Sequence, residues 1–187
     1  ADLLDLLGDH APAIELRGLD AVVAAAARGD LRSAERMIGA APELLDQLLA
    51  HGGTLAGHFA GSGNTAGLEV LFQLGTPVDA TFADEDRYWE LAADSTPLHV
   101  AAWRARHATV RRLIELGADV RRRDSQGRSA LQLAVRAGVA SHWTELRAPE
   151  SVAALLAAGA DPDEVSLPTG YEPFDALIAR ARDGGRP

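Results

Sequence analysis

The residues best suited to chemistry in this sequence are its histidines, which could bind a metal ion or carry a proton during catalysis. No two of them have the His-Glu-x-x-His spacing of a zinc site, and none lies at a spacing from Asp that resembles a metal-ligand set. Cysteine is absent, which excludes a thiol nucleophile, a disulfide and a Cys-ligated zinc. We therefore expect no metal and no cofactor. The histidines are His10, His51, His58, His99, His107 and His142.

The glycine-rich stretch GSGN at residues 61–64 is the nearest approach to a phosphate-binding loop. It lacks the G-x-x-x-x-G-K-[ST] pattern, and the chain contains no Lys. No G-x-S-x-G nucleophile elbow is present either, although a spatial Ser–His–Asp triad leaves no mark in a sequence. We interpret GSGN as a turn between two helices, with Gly63 in the turn.

The stretch from Asp79 to Asp94 is acidic and aromatic, with a local net charge of −5. It contains Arg87, Tyr88 and Trp89, and exposed aromatic and Arg side chains are the types that anchor protein interfaces. This composition predicts a partner-binding loop. The alternative is that Tyr88 and Trp89 fold back and cover a neighbouring helix.

A second charged stretch, at residues 121–123, consists of Arg121, Arg122 and Arg123. These cations either pair with the acidic stretch across the surface, which stabilises little per exposed pair, or form with it a bipolar face for a charged partner. Trp103 is a further candidate for partner contact if its ring is exposed.

The overall charge and composition exclude several classes of protein. A net charge of −9 argues against a general nucleic-acid binder, because such proteins gain affinity by neutralising phosphates. All 18 basic residues are Arg, which is typical of a GC-rich bacterial genome. We find no apolar run long enough to span a membrane and no signal peptide at the start as given, so we expect a cytoplasmic protein.

The elements that must position these side chains repeat along the chain. Gly75, Gly117 and Gly159 are spaced by 42 residues, whereas Thr96 precedes Ser129 by 33. These spacings predict a unit of about 33 residues that is lengthened by two insertions of about nine, around 79–94 and 139–147.

The clearest unit begins at Thr96, whose hydroxyl can cap a helix, with Pro97 at the first helical position. A second helix follows and ends at Gly117, which can adopt positive φ. The turn DSQG at 124–127 then leads to the next unit. The apolar stripe of the second helix comprises Val110, Leu113, Ile114 and Leu116.

This unit resembles the ankyrin repeat. The third copy matches the family pattern best, from Thr96 through His99 to the Gly-Ala-Asp ending at Gly117. In the second copy, Leu55 and Gly57 replace the Pro and His of the pattern. The resemblance implies an all-α solenoid of helix-turn-helix units within a single domain. We expect an N-terminal cap at 1–18, repeats at about 19–50, 51–93, 94–127 and 128–167, a C-terminal half repeat at 168–183, and a tail at 184–187.

The resemblance also implies a non-enzymatic scaffold that binds another protein, because the fold presents a broad concave surface without a built-in catalytic cleft. We expect a monomer that contacts its partner through the concave face and the 79–94 loop. His99 is expected to bond backbone groups in the connecting loops. One alternative is a small enzyme or ligand-binding protein that uses His58, His99, Asp84 and Arg87 in a pocket. Another is that the Arg loop binds a charged small molecule or nucleic acid.

Overall fold

Ten α-helices run through residues 16–82, 90–141 and 143–184, which are the residues described by this computed structural model. We number them α1 to α10 in chain order. Two short 3-10 helices, Thr144–Leu146 and Pro162–Glu164, lie in the loops that follow α8 and α9. The α-helices are Leu19–Ala27, Leu31–Ala40, Glu43–Ala50, Gly52–Ser62, Thr65–Gln73, Pro97–Trp103, His107–Glu115, Ala130–Val139, Glu150–Ala157 and Glu172–Arg182.

Four pairs of helices account for most of the fold: α1 with α2, α4 with α5, α6 with α7, and α8 with α9. The first helices of three pairs lie side by side, with α4 against α6 and α6 against α8. Among the second helices, α7 packs against α9. The first pair departs from this pattern, because its first helix α1 packs against α5, the second helix of the next pair. The all-α solenoid expected from the repeats is confirmed. No helix among the described residues has the length and apolarity needed to cross a membrane.

The predicted helix starts hold where a polar side chain is present to cap the helix. The Thr96 hydroxyl accepts the backbone N–H of His99, and the Ser129 hydroxyl accepts that of Gln132. The second pair departs from this pattern, because α4 begins at Gly52 rather than after Thr54. Gly53 in its first turn lies close to the loop that follows α5, as described below.

The three repeated glycines occupy equivalent positions, as their spacing predicts. Gly75, Gly117 and Gly159 each come directly after the residue that caps the second helix of a pair, with φ of 107°, 90° and 93°. Gly63 ends α4 with φ of 81°, so the turn predicted for GSGN lies at Gly63 and Asn64, whereas Gly61 and Ser62 belong to α4. The equivalent turn after α6 contains Ala105, which has a φ of 51°.

The apolar stripe predicted for α7 is only partly in the core, because Ile114 and Leu116 are partly exposed. Val110 and Leu113 of α7 are fully buried, as are Leu71 of α5 and Leu155 of α9. The first pair differs at its end, because it lacks a Gly-Ala-Asp ending and is followed by the extra helix α3, Glu43–Ala50, which packs against α1, α2 and α4. The predicted N-terminal cap lies almost entirely outside the described residues.

Candidate functional site

Gly53 and Gly57 of α4 lie against the start of the 79–94 loop. We call residues 79–82 the first leg of this loop and residues 90–94 its returning leg. A Cβ atom on Gly53 would lie 2.0 Å from the Thr81 carbonyl oxygen, and one on Gly57 would lie 1.8 Å from the Phe82 ring. Only glycine permits this approach, since real Cβ atoms do not come so close. Phe82 is 6% exposed, and the ring of His58 meets it edge-on with centroids 5.7 Å apart. The leg therefore packs along α4 instead of projecting into solvent.

Backbone hydrogen bonds close the loop at its base. The Phe82 N–H donates to the Ser95 carbonyl and the Asp94 N–H donates to the Phe82 carbonyl, both at 3.0 Å. On the returning leg, Leu91 and Ala92 are buried, and the Ala93 carbonyl accepts the N–H of Ser125 at 2.9 Å. The two legs are thus held against different helix pairs.

Glu90, at the start of the returning leg, reaches the first helix of the fourth pair. Its Oε2 lies 2.7 Å from Nη2 of Arg136 on α8. The Arg136 guanidinium lies over the indole of Trp103, 5.1 Å from the ring centroid. The cation is therefore held between an aromatic face and a carboxylate. Arg136 was not among the predicted contact residues, because nothing in the sequence marks which exposed Arg faces the loop.

Trp103 is buried, so the exposure on which its predicted partner contact depends is not met. Its ring is 4% exposed, because it ends α6 between neighbouring helices and lies under Arg136. Trp103 therefore stacks beneath the Arg136 guanidinium and exposes little surface that a partner could contact.

The three consecutive arginines lie on the loop after α7 and are all exposed. They lean towards the next loop along the array, since Arg123 pairs with Glu164 at 2.8 Å and Arg121 donates to the Gly159 carbonyl at 3.4 Å. Within the described part of the chain, Arg122 makes no side-chain hydrogen bond or ion pair. Contact with the acidic loop comes instead from Arg128 and Arg136, both of which reach Glu90.

The predicted contacts Arg87, Tyr88 and Trp89 lie outside the described residues, as does Asp84 of the alternative pocket. The structure brings together the legs on either side of them. It also places Arg121, Arg122 and Arg123 on the loop that Ser125 ties to the returning leg.

The second insertion is attached at the turn between α6 and α7. His107 accepts the Ser151 hydroxyl at Nδ1, 2.6 Å away, and donates from Nε2 to the Leu146 carbonyl at 2.9 Å. The guanidinium groups of Arg104 and Arg106 lie 5.8 and 5.9 Å from the Trp143 ring centroid. Ser151 is 2% exposed, so its hydrogen bond to His107 joins two elements and is inaccessible to a substrate.

His99 is a structural residue, as the resemblance implies. Its Nδ1 accepts the Thr96 N–H at 3.2 Å, and its Nε2 donates to the Arg128 carbonyl at 3.1 Å. Burial lowers the pKa of His99 below its ordinary value of 6.5, so the ring is neutral at pH 7. With both nitrogens used and the ring 1% exposed, His99 is unavailable for acid–base chemistry.

Nothing in the described ranges gathers three or more His, Asp or Glu side chains into a possible metal site. Four grooves in the described part of the chain are open to solvent, and neither His58 nor His99 lines any of these four. The described residues therefore form surfaces that a partner could contact. The two most distinctive features of these surfaces are Arg136, held between Trp103 and Glu90, and the 79–94 loop, packed against α4.

The comparisons agree with the geometry of the stack. A family model described as ankyrin repeats, in three copies, matches residues 21–124 and 70–166. The search of curated proteins returned no match. Ankyrin repeats are in general modules for protein–protein interaction. Helix pairs in register, positive-φ glycines at one position and the match over most of the chain lead to one conclusion: the chain belongs to the ankyrin-repeat family.

Proposed function

We propose that this chain is a non-enzymatic scaffold that binds a partner protein through its concave face together with the 79–94 loop. We take the concave face to be formed by the adjacent first helices α4, α6 and α8 and the loops that connect the pairs. The observation that carries the proposal is the attachment of that loop to two helix pairs. Phe82 of the loop packs against Gly57 of α4, and Glu90 of the loop pairs with Arg136 of α8. A loop held at both ends loses less conformational freedom when a partner binds, which favours affinity.

The composition of the surface supports recognition of a protein. The loop carries Tyr88 and Trp89, and the neighbouring loop carries Arg121 to Arg123, so the two stretches combine aromatic anchors with charges of both signs. We propose Arg87, Tyr88 and Trp89 as the anchoring residues, with the three arginines selecting the partner. The chain acts as a monomer in the cytoplasm.

The proposal is tested by affinity capture from the source cell followed by mass spectrometry, with the chain and its Trp89→Ala and Arg122→Ala variants as baits. We expect a partner that the chain retains, that Trp89→Ala loses, and that Arg122→Ala retains less well. Arg111→Ala is the matched control, because Arg111 is an exposed arginine on the second helix α7.

Two results would count against the proposal. If every variant captures the same proteins equally, the contact surface lies elsewhere. If Trp89→Ala unfolds, as measured by circular dichroism, Trp89 belongs to the core, and its assignment as an anchor is wrong.

A further inference from the structure

A small, open slot with mixed apolar and polar lining lies beside Arg136, on the side of α8 that faces the loop before α10. Its volume is about 320 Å³, near the lower limit of protein ligand pockets, so it suits one or two side chains. The walls include Val135, Val139, Val165 and Pro168, and the Arg136 side chain forms part of the rim.

Two ion pairs border this slot, Arg123 with Glu164 and Arg136 with Glu90. Glu164 lines the slot, and one of its carboxylate oxygens bonds the Ser129 hydroxyl while the other pairs with Arg123. Glu164 is therefore neutralised, and its side chain is only 8% exposed. Arg136 uses one N–H on Glu90 and, as a guanidinium, carries five donors in all.

Glu90 is poorly suited to hold Arg136 permanently. The Glu90–Arg136 pair is exposed, at 48% and 45% of the side chains, and exposed pairs stabilise little. Glu90 also has a φ of 56°, in the left-handed region that non-glycine residues rarely occupy. The stacking on Trp103 keeps the guanidinium in place independently of Glu90.

We infer that the slot receives a segment of the partner in which an acidic side chain adjoins a branched apolar one. The apolar side chain fills the slot, and the carboxylate bonds Arg136 in competition with Glu90. This inference rests on the proposed function and adds the chemistry of the segment that is recognised. The net charge of −9 repels such a segment at long range, so the attraction to Arg136 acts at contact distance.

The test uses the full chain labelled with ¹⁵N and two heptapeptides with blocked ends, one centred on Glu-Val-Val and the other on Lys-Val-Val. We expect the Glu peptide to shift the amide signals of α8 and of residues 165–169, and the Lys peptide to leave them unchanged. Arg136→Gln should weaken binding at least about tenfold, because a charge-assisted hydrogen bond is lost. Glu90→Gln should strengthen it about two- to fivefold by removing the competitor.

Arg111→Gln is the control and should bind the Glu peptide as the unaltered chain does. If Arg136→Gln fails to fold, Glu90→Gln still decides, since it changes only an exposed pair. Equal binding of both peptides, shifts confined to other helices, or no binding by Glu90→Gln up to about 10 mM peptide would overturn the inference. A partner captured in a Trp89-dependent manner would leave the proposed function standing even then.

Discussion

The second and third helix pairs solve the same structural problem with different chemistry. In the third pair, His99 of α6 ties the following loop by donating to the Arg128 carbonyl. In the second pair the equivalent residue is Gly57 of α4, and the following loop supplies Phe82, whose ring packs against it. We call the hydrogen bond from His99 to the loop the polar tie, and the packing of Phe82 against Gly57 the apolar seat. The polar tie holds a short loop, whereas the apolar seat holds the long one.

The fourth pair shows that the polar tie does not require histidine. Gln132 of α8 accepts the Ser129 N–H at 3.0 Å and donates to the Glu164 carbonyl at 2.9 Å, which reproduces both bonds of His99. The loss of the side chain in the second pair is therefore the exception. It leaves the space in which the 79–94 loop begins, and that loop carries the proposed partner contacts.

The largest expected effect tests what the second and third pairs share. Leu71 and Leu113 are equivalent and fully buried, so Leu71→Ala and Leu113→Ala should each lower the free energy of unfolding by about 2–5 kcal/mol. Urea denaturation followed by circular dichroism measures both. A cost below about 1 kcal/mol for either would mean that its helix pair does not share the common core.

The next effect tests the apolar seat. Gly57→Ala should lower the free energy of unfolding by about 1–3 kcal/mol, because the new methyl group collides with the Phe82 ring. Gly39→Ala is the control. Gly39 is exposed within α2 with no atom near its missing Cβ, so this change should stabilise by about 0.5–1 kcal/mol. In a Phe82→Ala background the cost of Gly57→Ala should shrink, and strict additivity would show that the two residues do not meet.

Part of this comparison was predictable from the sequence. The spacing of Gly75, Gly117 and Gly159 and the cap at Thr96 predicted the helix pairs, because these residues act through local backbone geometry. The replacement of His by Gly57 was also visible, but its consequence depended on a contact with Phe82, 25 residues away, which no local rule supplies. The contact between Trp103 and Arg136 is unpredictable for the same reason, because the two residues lie far apart in the sequence.

The polar tie should make stability depend on pH. Burial lowers the pKa of His99 in the folded chain. As the pH falls below 6.5, His99 therefore takes up a proton in the unfolded chain while it is still neutral in the folded chain. The free energy of unfolding attributable to His99 is therefore complete above pH 6.5 and declines as the pH falls below it. His99→Gln should retain both hydrogen bonds, as Gln132 does, and remove this part of the decline. Denaturation at pH 7.5 and pH 5.5 compares the two proteins, and an identical decline in both would refute the assignment.

The smallest expected effect concerns the turns inside the pairs. The second pair has Gly63 at the position where the third has Ala105, and Ala105 has a φ of 51°. Ala105→Gly should raise the free energy of unfolding by about 0.5–1 kcal/mol, because relief of the left-handed strain exceeds the entropy lost on folding. Thermal melting detects this change as a small increase in Tm. A decrease would show that the Ala105 methyl group contributes more by packing than it costs in strain.

Hydrogen exchange of the chain alone and with its captured partner tests most directly where the partner binds. We predict slower exchange on binding at residues 77–82 and 90–95 and in α4, α6 and α8, with little change in α2, α5, α7 and α9. Slower exchange confined to those second helices, with both legs of the loop unchanged, would contradict binding through the concave face and the loop.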